Sequence, residues 1–99
     1  MPASSSRLRI LLAGVGAFGV EHLARLAKRP DVNIVGVADP NPAALERASA
    51  FDGVKFSSSD VRRMIDDVEA DAIIVATSAS SHVPICKKAL ARNLLPIPT

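Results

Sequence analysis

From residue 8 onward the chain alternates short apolar runs with segments whose apolar positions recur every three or four residues. Residues 8 to 13, Leu-Arg-Ile-Leu-Leu-Ala, form a nearly continuous apolar run that stops at Gly14, the pattern of a strand buried on both faces. From Ala17 to Arg29 the spacing changes: Phe18, His22, Leu23, Leu26 and Ala27 fall on one side of a helix, and Pro30 lies just beyond its end. Residues 33 to 38, Asn-Ile-Val-Gly-Val-Ala, read as a second strand. The turn Asp39-Pro40-Asn41-Pro42 leads into a helix reaching about Ala50, with Asn41 as N-cap and Pro42 at its first position.

Val54 to Phe56 predict a short third strand, after which Ser59 or Asp60 caps a helix carrying Val61, Met64, Ile65 and Val68 on one face. Ala72 to Ala76 predict a fourth strand, and the polar stretch Thr77 to Ser81 precedes a helix from about His82 to Arg92. Lys87, Lys88 and Arg92 suit the negative pole of that helix, and Asn93 suits a left-handed stop. The order β-α-β-α-β-α-β-α implies an α/β fold: a parallel sheet flanked by helices, in one domain from residue 8 to 95. Residues 1–7 and 96–99 are expected as tails, since Pro96 and Pro98 each remove a donor that a central strand needs.

Composition narrows the function. Ninety-nine residues allow one domain, and 48% hydrophobic with 22% charged residues describes a globular chain. A net charge of +2, with basic residues scattered singly or in pairs, and only three aromatics, all Phe, argue against nucleic-acid binding. The one cysteine, Cys86, has no internal partner and lies in a helical pattern, so a buried, inert thiol in a reducing, cytoplasmic setting is expected. No apolar run approaches the roughly 18 residues that span a membrane. Met1 to Ser6 also lacks a basic stretch followed by an apolar one, so no secretion signal is expected.

The chemistry is concentrated after the first strand. In Gly14-Val15-Gly16-Ala17-Phe18-Gly19 the first glycine permits a tight turn, the second lets backbone approach a pyrophosphate, and the third lets helix and strand pack closely. Amides at the helix N-terminus then hold the phosphates. The acidic Asp39 stands 20 positions after Gly19 at the end of the second strand, where a carboxylate can accept hydrogen bonds from the adenosine ribose. A 2′-phosphate there would meet like charge, which favours NAD over NADP. Asp39 could instead cap the turn that follows it. Thr77 to His82 lie at the same sheet edge and could reach the nicotinamide half; equally, Ser80 or Ser81 could cap the last helix, with Pro84 in its first turn and His82 bonded to backbone. His22, on the packing side of the first helix, reads as a core histidine.

Taken together, Arg9 to Gly19 with Glu21-His22, then Val35 to Asp39, then Asp71 to Thr77 with His82 five residues on, resemble the N-terminal half of the Gfo/Idh/MocA oxidoreductases over about residues 8 to 93. The resemblance implies a domain that binds NAD or NADP in an enzyme acting by hydride transfer on a sugar, inositol or related polyol. It implies that Val15, Ala17 and Phe18 offer backbone to the pyrophosphate, that Asp39 holds the ribose, and that Thr77, Ser78 and His82 line the dinucleotide. Family members usually have proline after the threonine, where this chain has Ser78.

The family then continues into a fifth strand and a Glu-Lys-Pro motif whose lysine is catalytic, whereas this chain reads Asn93-Leu94-Leu95-Pro96-Ile97-Pro98-Thr99. The expectation is therefore cofactor binding without a catalytic residue or substrate domain of its own, turnover requiring a second chain. The alternative is a non-catalytic nucleotide-binding or interaction module, associating with a partner or a second copy through the sheet edge left open after the fourth strand. A methyltransferase using S-adenosylmethionine shares the glycine turn but not the spacing that continues to His82. No metal site is expected.

Overall fold

The computed structural model describes residues 7–51 and 54–98. Residues 1–6, most of the expected N-terminal tail, lie outside the described residues, as do the side chains of Ala17, Phe18 and His22 and with them the reading of His22 as a core histidine. Nine elements follow one another: β1 (Leu8–Ala13), α1 (Ala17–Leu26), β2 (Val32–Ala38), α2 (Pro42–Ser49), β3 (Phe56–Ser58), α3 (Val61–Asp67), β4 (Ala72–Val75), α4 (Ala79–Ala91) and β5 (Leu95–Pro98). The strands form one parallel sheet in the order β3-β2-β1-β4-β5, so the chain reverses direction across the sheet between β1 and β4.

Two apolar layers sandwich the sheet, and the two-residue repeat of each strand decides which side chain enters which layer. Leu11 and Ala13 of β1 and Ile73 and Val75 of β4 pack with Met64 and Ile65 of α3 and Ile85 and Ala89 of α4. Ile10, Leu12 and Ile74 point the other way, to Leu23 of α1 and Ala44 and Ala48 of α2. Full burial of one such Leu or Ile contributes about 1.5–3 kcal/mol, which is why the central strands read as unbroken apolar runs.

The alternation is interrupted once. Ile10 pairs with Ile34 but Leu11 pairs with Gly36, so Val35 is an extra residue in β2. Val35 packs on the α3–α4 side, and a Cβ at Gly36 would stand 2.9 Å from Leu11 Cδ2 and 3.3 Å from Met64 Sδ on that same side. Two successive residues thus address one face, a β-bulge, and Val37 returns to the α1–α2 side. The bulge sets the phase of everything after it, Asp39 included.

Local signals act as expected at several termini. Asn41 caps α2 by accepting from the amides of Ala43 (3.0 Å) and Ala44 (3.4 Å), with Pro42 in its first turn. Asp60 caps α3 by accepting from the Arg62 amide at 2.9 Å. Asn93 takes the left-handed φ of 60°, and the amides of Asn93 and Leu94 donate back to the carbonyls of Leu90 (3.1 Å) and Ala89 (2.8 Å), which closes α4. At the amino edge, Asp71 clips β4 to β1: it accepts from the Arg9 amide at 2.8 Å and the Arg9 guanidinium at 3.2 Å. That guanidinium, and then the Arg9 amide, hold the Asp71 carboxyl below its usual range.

Four boundaries differ from the sequence expectation. The third strand is Phe56–Ser58 rather than Val54–Phe56, because its pairing partners are Gly36 to Ala38 of β2. The first helix ends at Leu26, and Ala27, expected on its packing face, is exposed beyond it. The last helix begins at Ala79 with Ser78 as N-cap, three residues before His82, so Pro84 sits in its second turn and Ser80 and Ser81 in its first. Most consequentially, Leu95–Pro98 is a fifth strand paired with β4, not a tail. The Leu95 amide donates to the Asp71 carbonyl at 3.1 Å, so the two-residue repeat turns Ile97 toward β4 and the nitrogens of Pro96 and Pro98 toward the open side, where no donor is needed.

Candidate functional site

The carboxyl ends of β1, β2 and β4 converge at the reversal point, where open parallel sheets leave a crevice. The glycine turn occupies it. Gly14 has φ of +89°, and a Cβ there would lie 2.7 Å from the Ala76 carbonyl oxygen and 2.9 Å from the Thr77 nitrogen. Only glycine lets the end of β1 lie this close to the end of β4. A Cβ at Gly19 would collide with the Gly14 carbonyl oxygen, so the third glycine lets α1 start against the turn. Around Gly16 a Cβ would meet nothing within 4 Å. The space over the middle of the turn is open, and the residue is exposed.

Helix termini add to this pattern. Two of the helices, α2 and α3, carry side-chain caps, from Asn41 and Asp60. The other two, α1 behind Gly16 and α4 behind Ser78, have no side-chain cap. In α4 the Ser81 amide donates back to the Ser78 carbonyl at 2.9 Å, and at both N-termini the helix dipole favours an anion.

Asp39 follows β2 at the same edge, half-buried. Its Oδ2 accepts from the Val15 amide at 2.8 Å, and its Oδ1 accepts from the Asn41 amide at 2.7 Å. The alternative raised by the sequence, a turn cap, is therefore realised, but a carboxylate has about four acceptor positions and two remain. The Val15 amide, expected to face a pyrophosphate, is given to Asp39 instead, because Val15 is pulled inward by its fully buried side chain.

The fourth-strand side of the crevice is polar. Thr77 is half-buried; Ser78 is exposed, and its hydroxyl lies 3.3 Å from that of Ser80 and 3.4 Å from that of Ser81. His82 Nε2 is 2.9 Å from the Thr77 carbonyl, which as an acceptor requires the proton on Nε2. His82 thus braces the Thr77 loop, the backbone-bonded reading of this residue. Sequence reasoning missed the bulge at Val35 and Gly36, for which an isolated glycine inside a strand was the available signal. Among the described residues no group of His, Cys, Asp and Glu could hold a metal ion, and no helix is long and apolar enough to cross a membrane.

The glycine turn and an acid at the end of the second strand, set in a parallel sheet that reverses at the crevice, define a nucleotide-binding α/β domain. Residues 8–95 match the family model described as "Oxidoreductase family, NAD-binding Rossmann fold", and the chain belongs to this Gfo/Idh/MocA family. It is an NAD-binding Rossmann domain. Among curated relatives it is similar to inositol 2-dehydrogenase 4 of Saccharopolyspora erythraea, 31% identical over 93 residues, covering 92% of this chain and 27% of the relative. Among solved structures it superposes on myo-inositol 2-dehydrogenase from Lactobacillus plantarum with a TM-score of 0.87 at 25% identity, covering 93% of this chain and 27% of that one. It also superposes on the WlbA dehydrogenase from Bordetella pertussis in complex with NADH and UDP-GlcNAcA, with a TM-score of 0.85 at 26% identity, covering 93% of this chain and 29% of that one. The chain spans about a quarter of the length of the relatives it matches.

Proposed function

We propose that this domain holds NAD across the crevice for an oxidoreductase that moves hydride between the nicotinamide and a hydroxyl-bearing carbon of a polyol, an inositol or a related sugar. The observation that carries the reading is the open space over Gly16 between two uncapped helix N-termini, with an acid at the neighbouring strand end. NAD supplies the hydride acceptor. Gly14, Gly16 and Gly19 shape the turn, the amides of Gly16, Ala17 and Phe18 hold the pyrophosphate, and the free lone pairs of Asp39 accept the adenosine ribose hydroxyls and repel a 2′-phosphate. Thr77 and Ser78 line the nicotinamide side, with His82 fixing the loop that carries them.

Inositol as the substrate class rests on the names of the similar dehydrogenases. The wall that holds the polyol belongs to further polypeptide, and a cytoplasmic setting accords with the free Cys86. Isothermal titration of the chain with NAD and NADP, beside Asp39→Ala, tests the reading. Saturable NAD binding, weaker NADP binding and a loss in the variant are expected. A folded protein that gives no heat with NAD overturns it.

A further inference from the structure

We infer that Asp39 is also a positioning residue for the glycine turn, so that the ribose and pyrophosphate subsites are coupled through one carboxylate. The inference rests on the cofactor site proposed above and adds a second role to the residue. Both Asp39 oxygens are already engaged by backbone before any ligand arrives: Oδ2 by the Val15 amide at 2.8 Å and Oδ1 by the Asn41 amide at 2.7 Å. The second bond orients the carboxylate, and the first transmits that orientation to the turn.

Asn41 is itself fixed, since its side chain caps α2 and prolines flank it on both sides. Asp39 is further tied to the sheet by its own amide, which donates to the Ser58 carbonyl at 3.1 Å. The bulge at Val35 and Gly36 supplies the phase: it returns Val37 to the α1–α2 side, and alternation places Asp39 on that side too, where Val15 lies buried. At the turn, Gly14 is held by its amide to the Ala38 carbonyl at 2.8 Å, and Gly19 by contact with Gly14. Between them, Asp39 gives the turn its side-chain hydrogen bond among the described residues. Without it the amide of buried Val15 loses a charged partner, and the amides that follow lose their fixed height above the crevice.

The consequence is separable from ribose binding, because a nucleotide without ribose hydroxyls has nothing for the carboxylate to hold. The experiment titrates the folded chain, Asp39→Ala and Asp39→Asn with ADP and with 2′,3′-dideoxy-ADP, following heat and the Val15 amide resonance. Removing a negative charge beside a diphosphate would, by relief of Coulomb repulsion alone, tighten binding. The expected result has the opposite sign: dideoxy-ADP binds Asp39→Ala about tenfold more weakly than the unaltered chain, the scale of one lost hydrogen bond to a charged group.

Asp39→Asn keeps one acceptor oxygen and the side-chain shape, so it shows a smaller loss with an upfield shift of the Val15 amide proton. It supplies the same comparison if the alanine variant fails to fold. Equal affinity of dideoxy-ADP for all three proteins, with ADP alone weakened, leaves Asp39 as a ribose anchor and overturns the positioning role while the proposed function stands. No binding of either nucleotide to the unaltered chain overturns both.

Discussion

Replacing Gly19 with alanine sets a methyl group on the carbonyl oxygen of Gly14 and 3.0 Å from its carbon, while the same change at Gly16 meets nothing within 4 Å. The obstacle at Gly19 is backbone, so relief requires the start of α1 to retreat from the turn by roughly 1 Å. Overpacking of this kind costs about 1–3 kcal/mol, and the better helix propensity of alanine returns about 0.5–1 kcal/mol. At the middle of both ranges the net loss is about 1 kcal/mol, which lowers the melting temperature of a domain this size by roughly 4–8 °C.

At Gly16 the φ of −68° suits alanine, and the poorer N-cap is offset by a stiffer unfolded chain, so stability should change by less than about 0.5 kcal/mol. The methyl group would instead stand in the proposed pyrophosphate subsite, and NAD affinity should fall about tenfold or more, about 1.4 kcal/mol. Circular-dichroism melts and titration calorimetry on the two variants give a double dissociation: Gly19→Ala loses stability, Gly16→Ala loses binding. A Gly19→Ala protein that melts with the unaltered chain, or a Gly16→Ala protein that binds NAD normally, refutes the division of labour argued here.

Two further outcomes are expected from features away from the crevice. Asp71 titrates below its ordinary value of 3.8 in the folded chain because Arg9 bonds it, so its contribution is present above that value and lost as pH falls through the folded value. Asp71→Asn should therefore flatten the acid limb of urea-unfolding stability below about pH 4, and added salt should reduce the difference because the pair is partly exposed. Asn93→Val places a β-branched residue at φ of 60° and should cost about 1–2 kcal/mol, whereas Asn93→Gly should cost nothing measurable; equilibrium urea denaturation of both variants reads the difference.

Most of the fold was legible because its signals are local and strong. The buried runs of β1 and β4, the capping by Asn41, the left-handed Asn93 and the three glycines each required what the sequence supplied at that position. What escaped is non-local. β3 is a short, partly exposed strand whose limits are set by its partner β2, and Ser57 and Ser58 carry no apolar mark. In α4, Pro84 read as a first-turn residue, yet the helix starts at Ala79, and exposed Ser80 can satisfy its carbonyl with water where the proline offers no donor.

At the candidate site the positions were legible and the partners were not. Gly14, Gly16, Gly19 and Asp39 converge as their spacing implied. That Val15 turns its amide toward Asp39, and that His82 braces the Thr77 carbonyl, follows from the bulge and the helix start, which no single-residue preference encodes.

The two margins of the sheet bear on how this molecule behaves at high concentration. A parallel sheet is open-ended in principle, since each outer strand offers a row of polar groups on which another chain could continue the ladder. Among the described residues the two outer strands carry different devices against this. β3 is three residues long, too short to seed an added strand, and β5 turns two ring nitrogens outward at Pro96 and Pro98, so its outer side accepts hydrogen bonds but donates none at those positions. Concentrated protein should resist fibril growth by strand addition at these two strands.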